Sequence, residues 1–146
     1  MAEDVQIDPR GYRFGATVTL TVAVIALVLG ATTAGFVAMA VLVALFLPGA
    51  LVGPQATLQS ALFKRLIRPR IGAPTETESF RPPRFAQQMG LGMSAAALVL
   101  GLLGLDWGFW LFGAFVTVAS FLNAVFGFCL GCEIYLLIKR AGARTA

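Results

Sequence analysis

The residues with the most chemical promise lie together in Phe126-Gly127-Phe128-Cys129-Leu130-Gly131-Cys132-Glu133-Ile134-Tyr135, where the chain's two cysteines stand three apart beside an acid. A Cys-x-x-Cys pair can cycle between dithiol and disulfide, or carry a sulfane sulfur as a persulfide. The bland alternative is packing, because cysteine is small, weakly polar and common in buried helices. Side chains three and four apart share a helix face, so Cys129, Cys132, Glu133 and Leu136 form one strip above Leu122, Val125 and Phe126. On the other side run Gly113, Thr117, Ser120, Ala124, Gly127 and Gly131, small residues that let helix backbones approach closely in lipid. That small-residue strip is expected to pack into a bundle. The cysteine and glutamate strip then needs cover from another helix, a second subunit of a homodimer or a partner protein, because a carboxylate facing hydrocarbon is expensive.

Other chemistry is narrower. The chain has no histidine, which removes Ser-His and Cys-His nucleophile pairs and imidazole ligands. A four-thiolate site for zinc or an iron-sulfur cluster would need two Cys-x-x-Cys motifs meeting across a two-fold axis, and no other residue supports it, so neither metal nor cofactor is expected. A neighbouring carboxylate and a low dielectric both hold a thiol protonated, which predicts poor nucleophiles at Cys129 and Cys132. The pair fits better as a resting disulfide opened by a soluble thiol protein. Glu133 taken alone reads as a structural group, protonated and hydrogen-bonded or reaching toward Arg140.

The elements that must position this motif are membrane elements. Of 146 residues, 58% are hydrophobic and only 12% charged, with mean hydropathy +0.84. So small a water-soluble domain cannot hide that apolar surplus. At about 20 residues per span, the length accommodates four helices and excludes a separate soluble catalytic domain. The spacing of apolar runs predicts spans over approximately 14–30, 34–52, 85–105 and 109–138 in a single membrane domain. Ala31-Thr32-Thr33 and Asp106-Trp107-Gly108 close two helical hairpins, and Pro48-Gly49 is expected to bend or loosen the end of the second helix. The fold class is thus all-α, a four-transmembrane-helix bundle.

The polar loop 54–84 between the hairpins has two parts. Gln55 to Ile67 spaces Leu58, Ala61, Leu62 and Leu66 helically beside Lys64 and Arg65, as an amphipathic helix lying on a membrane surface would. The remainder, with Pro69, Gly72, Pro74, Pro82 and Pro83, reads as an exposed loop. All eleven Lys and Arg fall before the first span, in this loop or after the fourth, at Lys139, Arg140 and Arg144. The hairpin turns hold only Asp106. The positive-inside rule therefore places both termini and the central loop in the cytoplasm. The patch Lys64, Arg65, Arg68 and Arg70 suits anionic lipid headgroups, and nucleic acid is not an expected partner. The acidic start with Glu3, Asp4 and Asp8 lacks the basic region of a secretory signal. Trp107, Trp110 and Tyr135 read as interface residues. Ser120 and Asn123 suit hydrogen bonds between helices, and Gly11-x-x-x-Gly15 and Gly49-x-x-x-Gly53 suit close packing or turns.

Ile7-Asp8-Pro9-Arg10 with Arg13-Phe14, Arg84-Phe85-Ala86-Gln87, and Phe128-Cys129-Leu130-Gly131-Cys132-Glu133-Ile134-Tyr135 together resemble the bacterial membrane family labelled domain of unknown function 4395. The resemblance covers nearly the whole chain, and the Cys-x-Gly-Cys-x-x-Tyr element is its most specific part. It implies a multi-pass protein of the bacterial plasma membrane, of a kind common in actinobacteria, encoded near thioredoxin-like and thiosulfate sulfurtransferase genes.

The leading expectation is therefore that Cys129 and Cys132, with Glu133 as neighbouring acid, handle thiol-disulfide redox or sulfane sulfur in exchange with a cytoplasmic thioredoxin-like or sulfurtransferase protein. The second is small-solute or proton-coupled transport using Glu133 as the acid inside the membrane. The third is a non-catalytic assembly or anchor protein in which none of these residues reacts.

Overall fold

The computed structural model describes residues 6–145; the acidic start at Glu3 and Asp4 and the side chain of Arg144 lie outside the described part of the chain. The fold is all-α, with four helices long and apolar enough to cross a membrane: α1 (Pro9–Leu29), α2 (Thr33–Leu51), α5 (Arg81–Leu102) and α6 (Asp106–Phe126). Between α2 and α5 run α3 (Leu58–Leu62), a π-helical turn (Phe63–Ile67) and α4 (Arg68–Ile71). After α6 comes α7 (Leu130–Thr145).

Local chemistry explains most boundaries. Asp8 caps α1 by accepting from the Arg10 backbone N–H at 3.0 Å, and Pro9 occupies the first turn, where no N–H is needed. Thr32 caps α2 through the Gly35 N–H at 3.2 Å. Pro48 neither breaks nor ends α2, which runs on to Leu51. Pro82 and Pro83 likewise stand in the first turn of α5, which starts at Arg81, earlier than the apolar run suggested. Asp106 opens α6 instead of lying in the turn, which is made by Leu103 to Leu105 with Gly104 at φ 86°.

One boundary overturns a sequence expectation. The helix predicted over 109–138 is two helices, because α6 ends at Phe126 and Gly127 adopts a left-handed φ of 68°. Its N–H returns to Asn123 O, the 5→1 bond of a left-handed helix stop, and that of Phe128 reaches Leu122 O. The apolar run conceals this stop because the break needs only one glycine. Part of the central loop also gains order: Gln6–Ile7 (β1) pairs antiparallel with Glu78–Ser79 (β2), with Gln6 opposite Ser79.

In the bundle, α1 packs on α6 and α2 on α5, with α1–α2 and α5–α6 forming the hairpins. Its core is assembled from Ala23, Ala26, Met39, Leu42, Phe46, Ala97, Phe109 and Val116. Thr19 and Ser120 join α1 to α6 by a buried hydroxyl pair at 3.2 Å, as expected for Ser120. Large apolar residues cover the outside: Val28 is 80% exposed, Leu51 64% and Leu102 63%, an arrangement that suits lipid and not water.

The halves repeat one another. Ala26-Leu27-Val28-Leu29-Gly30 recurs as Ala97-Leu98-Val99-Leu100-Gly101, and Arg13-Phe14 as Arg84-Phe85, each 71 positions on. Ala26 and Ala97 are both fully buried. Arg13 donates from α1 to the last carbonyls of α6, at 3.1 Å to Ala124 O and 2.7 Å to Val125 O. Arg84 donates from α5 to those of α2, at 3.4 Å to Ala50 O and 3.0 Å to Leu51 O. Each hairpin is followed by an amphipathic helix that folds back on its first member. The Phe14–Phe63 ring pair, with centroids 6.0 Å apart, corresponds to Phe85–Tyr135 at 5.8 Å.

Candidate functional site

The helix stop at Gly127 decides where the cysteines sit. Cys129 lies in the link before α7 and takes its N-cap position, with its Sγ 3.2 Å from the Cys132 N–H. The two residues form a disulfide, with their Cα atoms 5.1 Å apart. Both are half-buried. Neither is inside a long apolar helix. Cover comes from within the same chain. The Tyr12 hydroxyl of α1 stands 3.5 Å from Cys129 Sγ, and α7 packs on α5.

That packing is close because Gly131 has no side chain: a Cβ there would come within 2.6 Å of both Cα and Cβ of Ala86. The small-residue strip is thus split by the stop. Gly113 and Ser120 are buried in the bundle, Gly131 serves the α7–α5 contact, and Gly127 is exposed at the turn. The shared strip of Cys129, Cys132 and Glu133 with Leu122, Val125 and Phe126 does not form, since a turn separates the two groups.

Glu133 stands in the first turn of α7 with its side chain exposed, where the positive end of the helix dipole favours an acid. It belongs to none of the four long apolar helices. Nor does it pair with Arg140: the ion pair among the described residues joins Arg10 to Asp8 at 2.9 Å. The Arg10 guanidinium holds the Asp8 carboxyl below the usual carboxylate range. Lys139 instead lies 5.7 Å over the Tyr135 ring.

Behind Cys129 opens a cavity of about 470 Å³ between α1, α5, α6 and α7. Tyr12, Gln87 and Asn123 line it beside Cys129, and Met93, Phe115 and Val118 line it farther along. Gln87 stands beside the Tyr12 hydroxyl, and its Oε1 is buried without a partner. Gly49 makes room for it, since a Cβ there would meet Gln87 Oε1 at 2.6 Å. Gly11 does the same for the Phe63 ring, so these glycines are close-packing positions as their spacing suggested. Among the described residues no group of three or more potential metal-binding side chains occurs.

Sequence reasoning missed Tyr12, Gln87 and Arg13. Tyr12 and Gln87 are polar residues in the first two turns of apolar helices, and the recurring Arg-Phe marks the level at which those turns meet α7 and α3.

These features define an all-α protein with four membrane-length apolar helices and a disulfide capping a fifth, amphipathic one. The chain belongs to the family described as Domain of unknown function (DUF4395), which matches residues 7–140. No curated protein and no solved structure matches it.

Proposed function

We propose that this is an integral membrane protein of the bacterial plasma membrane that exchanges thiols and disulfides through Cys129 and Cys132. Its four long helices span the bilayer with both termini and residues 54–84 in the cytoplasm, in keeping with the placement of all eleven Lys and Arg. The observation that carries the reading is the Cys129–Cys132 disulfide at the head of α7, with Cys129 Sγ accepting a backbone N–H. Once the pair is reduced, that N–H and the helix dipole stabilise a thiolate on Cys129, which offsets the low dielectric that argued against nucleophilic thiols. Cys132 is then the resolving thiol. The partner is a cytoplasmic thioredoxin-like or sulfurtransferase protein that approaches over the exposed basic side chains Lys64, Arg65 and Arg70.

The transport reading loses its main support, because Glu133 is exposed and outside the long helices. The test is mechanism-based trapping. Cys132→Ser protein in membranes, mixed with a reduced thioredoxin-type protein lacking its own resolving cysteine and then mildly oxidised, is expected to accumulate a mixed disulfide at Cys129. Trapping by Cys129→Ser in preference to Cys132→Ser would reverse the roles, and trapping by neither variant would remove thiol exchange.

A further inference from the structure

The disulfide has two faces. Cys129 lines the cavity behind the disulfide, whereas Cys132, in the first turn of α7, is not among the residues that line it. That cavity is mostly apolar in its lining; Cys129, Tyr12 and Gln87 lie together at one end, and Asn123 and the paired hydroxyls of Thr19 and Ser120 are its other polar groups. Ala114, Phe115 and Val118 line its other side and are exposed on α6, so it opens sideways onto the apolar flank of the bundle. Its volume of about 470 Å³ falls within the range of small-molecule sites, which pair an apolar wall with a few convergent polar groups. Gln87 is more than nine-tenths buried, and its Oε1 lacks the hydrogen bond that burial demands.

We propose that this cavity holds the ring of a lipid-soluble quinone, which accepts the two electrons released when the Cys129–Cys132 dithiol closes to a disulfide. The inference rests on the thiol-exchange reading above and supplies its oxidant. A dithiol reduced by a partner must pass its electrons on. An acceptor that reaches Cys129 from the apolar flank must itself dissolve in lipid. A quinone tail fits the sideways opening, and its ring oxygens fit the polar end, where Gln87 Oε1 accepts from a hydroquinone hydroxyl. An acyl chain would leave those polar groups unanswered.

The chemistry balances within the site. The Cys129 thiolate adds to a ring carbon, forming a C–S bond. The Cys132 thiolate then attacks Cys129 Sγ; the S–S bond forms, the C–S bond breaks, and its electron pair stays on the ring. The ring oxygens take up the two protons that the thiols gave, so two thiols and one quinone become one disulfide and one hydroquinone. Tyr12, 3.5 Å from Cys129 Sγ, is a positioning residue that holds the sulfur at the cavity wall.

The experiment uses the purified full chain in lipid nanodiscs, reduced, freed of reductant and kept anaerobic. The probes are a short-chain alkyl benzoquinone and, separately, hydroxyethyl disulfide, a water-soluble disulfide. The expected result is saturable oxidation by the quinone, with one hydroquinone formed per disulfide and no retained adduct by mass. Val118→Trp and Ala119→Trp, which fill the cavity from α6, are expected to slow the quinone reaction about ten-fold or more. Both should keep the wild-type rate with hydroxyethyl disulfide, which also reports that they fold. A quinone reaction that is non-saturable, or unchanged in both variants, overturns the quinone site while the exchange reading stands. Failure of both oxidants to close the pair overturns the exchange reading itself.

Discussion

The two hairpin units solve the same packing problem with different chemistry. In the first, Thr57 caps α3, its Oγ1 accepting from the Ser60 N–H at 3.1 Å. In the second, Cys129 caps α7, its Sγ accepting from the Cys132 N–H at 3.2 Å. Thr57-Leu58-Gln59-Ser60 therefore corresponds to Cys129-Leu130-Gly131-Cys132: hydroxyls that can only cap stand where thiols can also be oxidised. The contact between the amphipathic helix and the long one is also inverted. Gly15 of α1 faces Gln59 of α3, whereas Ala86 of α5 faces Gly131 of α7. In the first unit Gln59 is buried with an unpartnered Oε1, and in the second the absent side chain brings α7 against α5. One architecture thus carries a hydroxyl cap and a disulfide cap; Tyr12 meets Cys129 beside the cavity of about 470 Å³ at the second, and also lines a smaller one of about 170 Å³ with Ser60 and Phe63 at the first.

The largest expected effect comes from breaking the disulfide cap. Cys129→Ser or Cys132→Ser is expected to abolish the intramolecular disulfide, while Thr57→Ala with Ser60→Ala leaves it intact and costs only a cap, about 1 kcal/mol. Non-reducing mass analysis of alkylated protein checks both. The comparison is sharpened by transplanting the motif: Thr57→Cys with Ser60→Cys, in a chain lacking the native pair, is expected to form a disulfide under mild oxidation. If it forms none, the caps are not equivalent. Next in size, Gly131→Leu is expected to lower stability by about 1–3 kcal/mol through overpacking against Ala86. The thermal midpoint in detergent reads this.

The two arginine caps separate the halves again. Arg13→Ala and Arg84→Ala each remove charge-assisted bonds to helix-terminal carbonyls, worth about 1.5–3 kcal/mol, but only Arg13→Ala frays the end of α6 next to Gly127. Cys129 alkylation after reduction should therefore accelerate in Arg13→Ala and stay at the wild-type rate in Arg84→Ala. The smallest effect is at Asp8. Its carboxyl is held below the ordinary range in the folded chain, so its contribution is present above the ordinary carboxylate pKa and fades as pH falls through the lowered folded value. Asp8→Asn should match wild type in thermal midpoint at strongly acid pH and fall below it near neutrality.

Much of the fold is legible in the residues. Composition and the four apolar runs point to the helices, and the spacing of Leu58, Leu62 and Leu66 to the amphipathic segment, where these leucines are exposed while Gln59 and Phe63 are buried. The break at Gly127 is not legible, since a glycine in an apolar run serves equally as a close contact and as a left-handed stop, and only the Arg13 bonds to Ala124 and Val125 decide between them. Taking that one residue as a packing contact runs α6 on through both cysteines and Glu133, which the structure gives to α7 and the link before it. The repeat is present in Ala26–Gly30 and Ala97–Gly101, but its meaning at Thr57 and Cys129 needs the caps in three dimensions. Tyr12 reaches Cys129 Sγ and Gln87 lines the same cavity from helices far away in sequence, a convergence that no local pattern encodes.

The most direct test of the central claim is the redox state of Cys129 and Cys132 in intact cells, read by acid quenching and alkylation with a mass-shifting maleimide, with and without a thiol oxidant. A reactive second copy predicts a pair that shifts between disulfide and dithiol with the condition. Two thiols that stay reduced in every condition, and label only after denaturation, would contradict it and leave both halves as packing alone.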